Sequence, residues 1–159
     1  SNKPLSEFFG KISPRTFVDV EFSVPCAVAL KLHDVPHSQW HVRQRWQDPD
    51  ISALAAKVTV QLDESYQKLY LQLGRASSRI PSRVEITLKN GKLLKAYCDL
   101  AWGSPQKPMN GMERLAKVRD LMAESLSPSA QEEIITSVNQ LDRIDDVGRV
   151  MRLLPLKGP

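Results

Sequence analysis

The chain has 159 residues, 42% of them hydrophobic and 25% charged, enough to bury the core of one globular domain or of a domain with an appendage. Its 22 basic and 18 acidic residues leave a net charge of +4, but the two signs are interleaved, whereas a nucleic-acid binder needs a concentrated basic face. No apolar run approaches the roughly 20 residues of a membrane-spanning helix, so neither nucleic acid nor a membrane is an expected partner.

The chain starts Ser-Asn-Lys, without methionine. A trimmed polypeptide is expected from that, and a targeting signal upstream stays open. In the stretch EFSVPCAVALKL, Ser23 is a helix cap and Pro25 fits a first turn, so a helix is predicted over 24–32. Polar residues are few between Val24 and Leu32. Such a helix has no wet face and is expected between other elements. Pro36 stops any continuation, and a second short helix is predicted from Gln39 to Trp46. Asp48 and Pro49 then open a helix with Ile51, Leu54 and Ala55 on one face.

Beyond Ala56 the apolar period changes to two. Val58, Val60 and Leu62 alternate in KVTVQLD, as do Val84, Ile86 and Leu88 in RVEITLK. Strands are predicted near 57–63, 83–89 and 92–99, the last two joined by a type I′ turn at Asn90-Gly91 with positive φ at both residues. The segment ESYQKLYLQLGRASSRIPS starts as a helical turn or an irregular strand and ends as a Ser/Arg/Pro loop. AWGSPQKPMNG ends the sheet portion. An all-helical tail follows: Asn110 with Glu113 forms a capping box for a helix to about 124, Ser127-Pro128 opens one to about 140, and Asp142 with Asp145 opens one to 154.

Local chemistry is sparse. His33, His37 and His41 recur every four residues, as metal ligands on a helix do, but Pro36 interrupts that helix and no carboxylate or thiol completes a set, so no metal is assigned. WHVRQRW places Arg43 and Arg45 between Trp40 and Trp46, an arrangement that can stack on bases. Trp46 shares a helical face with Val42, however, and reads as a core anchor. Cys26 and Cys98 fall in an apolar helix and a strand. Two buried free thiols suit a reducing compartment, and a cytoplasmic location is expected.

Taken in order, SPRTFVDVEFSVPCAVALKL, DPDISALAAKVTVQLDE, SRVEITLKNGKLLKAY and GSPQKPMNGMERLAKVRDL resemble the C-terminal part of the MmgE/PrpD family. That family includes 2-methylcitrate dehydratase, cis-aconitate decarboxylase and iminodisuccinate epimerase. The resemblance implies that residues 1–105 form an α+β lid domain and residues 106–159 a helical tail returning to a large helical domain, which this chain lacks. The implied fold is a small antiparallel sheet with helices on one face and a helical C-terminal appendage. The implied chemistry removes a proton beside a carboxylate of a small di- or tricarboxylate, with loss of water, loss of CO₂ or re-protonation, and needs no cofactor. Two departures follow from the same comparison. The family's Lys-Pro-Tyr segment, its histidine and most of its acid and base residues have no counterpart here, and Cys26 stands where tyrosine is common. No catalytic residue is therefore assigned. Ser23 and Cys26 are carried over by motif as substrate-binding lid contacts, beside the plainer reading of Cys26 as core filler. The chain by itself is expected to be an inactive lyase or isomerase portion, or else a binding module that kept the lid fold. The apolar stripes of the tail lack the large domain as a partner, and a symmetric homodimer through residues 111–154 is expected.

Overall fold

The computed structural model describes residues 9–10, 13–73 and 81–154. The Ser/Arg/Pro loop predicted before the second strand falls mainly on 74–80, outside the described residues.

The fold is built around the apolar helix. Thr16 and Asp19 form a capping box for α1 (Phe17–Glu21), and Ser23 accepts the Cys26 amide to start α2 (Val24–Leu32), with Pro25 in its first turn. What ends α2 is a Schellman arrangement. The Val35 amide donates to the Leu30 carbonyl at 3.0 Å and the Asp34 amide to Lys31 at 3.1 Å, with Asp34 at φ 53° in the left-handed region. This turn carries the chain to Pro36 and a 3₁₀ turn at His37–Gln39. The helix expected over 39–46 is thereby shortened to α3 (Arg43–Trp46). The Asp48 carboxylate accepts the Asp50 amide and opens α4 (Pro49–Ala55) as expected.

Helices α1 to α4 close on one another. Val20, Cys26, Ala29, Leu30, Trp46, Ile51 and Ala55 form a single buried cluster, flanked by Val35, Trp40 and Leu54. One side of α2 supplies this core through its main contact with α4. Its other side is open: Val24 and Leu32 are exposed and Ala27 and Val28 half-buried. The expectation that α2 has no wet face is corrected here, because among the described residues none covers its outer flank.

Asp63 begins α5 (Glu64–Leu73) by accepting the Ser65 amide and hydroxyl. The antiparallel sheet consists of β1 (Ser82–Thr87) and β2 (Leu93–Cys98), in a register that pairs Glu85 with Lys95 and Ile86 with Leu94. Together with the helices it makes an α+β fold. Residues 58–63 are not a strand; their alternation is right for one, but no ladder bond reaches them among the described residues. The hairpin turn also differs from expectation. Gly91 donates to the Leu88 carbonyl and Leu88 to the Lys92 carbonyl, each at 2.9 Å, and only Gly91 has positive φ, at 81°. This is a three-residue loop with a glycine bulge, in which Asn90 holds the Lys92 amide through its side chain. The Tyr66 ring of α5 stands 6.0 Å from Tyr97, and Asp63 lies 3.9 Å from Arg83. Both contacts are on the sheet face that carries Arg83, Glu85, Lys95 and Tyr97.

The tail begins at α6 (Gly111–Met122), with the Asn110/Glu113 capping box in place, and continues through α7 (Pro128–Asn139), capped by Ser127. The third predicted tail helix is divided into a 3₁₀ turn at Leu141–Arg143 and α8 (Gly148–Arg152). Asp146, rather than Asp142 or Asp145, binds the first amide of α8. Helix α6 returns to the 3₁₀ turn at His37–Gln39, where Ser38 donates to Asp120 at 3.1 Å and Gln39 to Glu124 at 2.6 Å. Among the described residues no helix is long and apolar enough to cross a membrane.

Candidate functional site

The N-terminal turn of α2 and one side of α4 border a cleft of about 480 Å³. Its position follows from local sequence. Ser23 and Pro25 fix where α2 starts and so where Cys26 lies, Asp48 and Pro49 do the same for Ile51, Ser52, Ala55 and Ala56, and α3 brings in Trp46. Ser13, Pro14 and Gln47 are the other described residues of the wall. The volume is in the range of small-molecule sites.

Apart from the Cys26 thiol, none of these lining residues can ionise near neutral pH. Cys26 is 1% exposed, and burial pushes its thiol up from its ordinary value, so at neutral pH it is protonated and a poor nucleophile or base. Trp46 is 5% exposed, and its indole Nε1 is buried without a hydrogen-bond partner. An orphan donor of this kind costs about 1–3 kcal/mol unless an acceptor reaches it. The described lining residues thus provide shape, hydroxyl and amide groups, and no charge to hold a carboxylate.

Of the two lid contacts carried over from the sequence, Cys26 lines the cleft and is also part of the core cluster. Ser23 is fully buried, and its hydroxyl oxygen accepts the Cys26 amide at 3.3 Å. The histidines do not come together on one helix: His33 caps the end of α2, the His37 ring lies 4.7 Å from Trp40, and the His41 ring meets the edge of Phe17 at 6.2 Å. Among the described residues no group of three or more His, Cys, Asp or Glu side chains is arranged to hold a metal ion. The aromatic-cationic segment is no stacking platform either, because Trp46 is core and the Trp40 indole N–H donates to the Val35 carbonyl at 3.1 Å. Ser13, Pro14, Gln47 and Ser52 were not marked as site residues by the sequence; Ser13, Pro14 and Ser52 fall inside the family-like motifs, but only the helix packing brings the four together.

The family described as MmgE/PrpD C-terminal domain matches residues 3–143 of the chain. No curated protein matches it.

Proposed function

The chain belongs to the MmgE/PrpD family as a C-terminal domain, and from that premise we propose that it is the lid portion of a lyase or isomerase acting on small di- or tricarboxylates, inactive without the helical domain that supplies acid and base. The observation that carries this is the chemistry of the cleft wall, where among the described residues the only ionisable group is a thiol kept protonated by burial. Dehydration, decarboxylation and epimerisation of such acids all need a positioned base and cationic partners for the carboxylates. In this reading Cys26 borders the substrate from the lid side, Ser23 acts only by fixing the helix start that places Cys26, and residues 106–159 return to the helical domain. No resident cofactor is invoked. The free thiols Cys26 and Cys98 support a reducing, cytoplasmic location.

The test is an assay of the purified chain on 2-methylcitrate, cis-aconitate and iminodisuccinate, alone and with a family helical domain added as a separate chain. Alone it gives no turnover above a protein blank, since positioned proton transfer worth about 10² to 10⁴ in rate is missing. Turnover by the chain alone overturns the reading. Failure of any helical domain to restore turnover or to bind favours the second reading, a binding module that kept the fold, which the full burial of Cys26 in the core also supports.

A further inference from the structure

The cleft bounded by α2, α3 and α4 has a graded wall. Its deep part is Cys26, Trp46, Ile51 and Ala55, all buried, while Ser13, Gln47, Ser52 and Ala56 stand exposed at its rim and Pro14 is half-buried. The deep part is apolar except for the Cys26 thiol and the Trp46 indole. A thiol is at most a weak donor, so the strong polar group there is the indole N–H. The rim is polar but uncharged among the described residues.

Trp46 is not an ordinary core tryptophan. A buried indole N–H usually finds an acceptor, and Trp40 does so by donating to the Val35 carbonyl at 3.1 Å. Trp46 is 5% exposed, and its Nε1 has no acceptor. Phenylalanine would supply an aromatic core side chain with no donor to satisfy, so packing alone does not account for an indole here. Because Trp46 is part of the cleft wall, the cleft is the route by which an acceptor from outside the chain can come. Nε1 itself is covered, so that acceptor displaces part of the wall to reach it. The exposed Gln47 and Ser52 are the wall side chains least held by packing.

We propose that this cleft binds a small uncharged molecule with an apolar body and a carbonyl oxygen, such as a carboxamide or ketone: the oxygen accepts the Trp46 indole N–H and the body lies against Pro14, Ile51 and Ala55. Charge decides the class. A carboxylate can also accept the N–H, but no cation lines the described wall, and an unpaired anion loses more hydration on burial than one hydrogen bond returns. No bond is made or broken, and the proposal does not rest on the lyase reading, since the binding belongs to this chain alone. In an intact enzyme such a cleft receives an uncharged part of the substrate and leaves its carboxylates to cationic groups of the other domain.

The test uses the isotope-labelled chain and a matched pair of probes, cyclohexanecarboxamide and cyclohexanecarboxylate, which differ mainly in charge. The chain has three tryptophans, so the indole N–H signals of Trp40 and Trp102 are internal controls for that of Trp46. Titration with the carboxamide at neutral pH is expected to move the Trp46 signal downfield and to saturate with a Kd on the order of 1 mM, as suits a ligand of this size. The carboxylate binds at least about tenfold more weakly. Trp46→Phe keeps an aromatic ring but removes the donor, and weakens carboxamide binding about fivefold or more, read from the backbone amide of Ser52. Ser52→Leu fills the rim from an exposed position on α4 and abolishes binding with unchanged circular dichroism, a readout that holds even where Trp46→Phe does not fold. A Trp46 signal that stays still up to about 20 mM carboxamide, equal shifts of all three indoles, carboxylate binding as tight as carboxamide binding, or binding indifferent to Ser52→Leu each overturns the proposal.

Discussion

The two flanks of α2 can be told apart by truncating leucines two positions apart. Leu30 is 0% exposed and sits in the cluster with Trp46 and Ile51, whereas Leu32 is 50% exposed on the open flank. Leu30→Ala removes side-chain atoms from a closed core and leaves a cavity, for which the expected loss is about 3 kcal/mol within the roughly 2–5 kcal/mol observed for such changes. Leu32→Ala gives up only partial burial, about 1 kcal/mol or less, and alanine recovers some of that as the better helix former. With a urea slope of about 1.5–2 kcal/mol per molar, the Leu30 variant unfolds about 1.5 M earlier than the wild type and the Leu32 variant less than about 0.7 M earlier. Tryptophan fluorescence is a suitable probe because Trp46 belongs to the same cluster. Equal midpoints for the two variants, or a larger loss for Leu32→Ala, would refute the assignment of one buried and one open flank.

Gly91 offers a conformational test with no steric component, because nothing lies within 4 Å of an added Cβ while φ is 81°. Gly91→Val is expected to destabilise the hairpin by about 1 kcal/mol or more, read as faster hydrogen exchange of the Leu88 and Gly91 amides; unchanged exchange would place the strain elsewhere. A second expectation concerns Asp63, whose carboxyl is held below its ordinary value by the Ser65 hydroxyl, then by the Ser65 and Tyr66 amides and the Arg83 charge, with desolvation opposing. A carboxylate pKa lowered on folding contributes stability that is present above the ordinary aspartate range and lost as pH falls through the depressed value. Ser65→Ala should therefore raise the Asp63 titration midpoint in a carboxyl-resolved NMR experiment, and a midpoint that does not move would remove the hydroxyl as the main cause.

Family membership was legible because four short motifs occur in order, and the match over 3–143 agrees with that reading. Helix starts were legible for a local reason: a cap is one side chain bonding an amide two or three residues away, so Ser23, Asp48, Asn110 and Ser127 announce α2, α4, α6 and α7 without knowledge of anything distant. The end of α2 was less legible. Pro36 predicted a stop, but the turn is made by Asp34 in a left-handed conformation that its sequence does not advertise.

The candidate cleft was legible only in part. Trp46, Ile51 and Ala55 read as apolar anchors, and Cys26 entered through the family motif, but Ser13, Pro14, Gln47 and Ser52 join them only once α2, α3 and α4 have packed.

Sequence by itself determined what nearest neighbours along the chain can decide: where helices begin, which residues alternate, and that a glycine is needed at position 91. Tertiary structure decided which apolar groups find a partner. Val58, Val60 and Leu62 alternate as well as Val84 and Ile86, yet only the latter pair in a ladder. Leu30 and Leu32 are equally apolar, yet one is core and the other half exposed. Alternation and apolarity are properties of one segment, whereas a ladder bond or a buried methyl group needs a second segment at the right distance, and that distance is set by how the remaining elements pack.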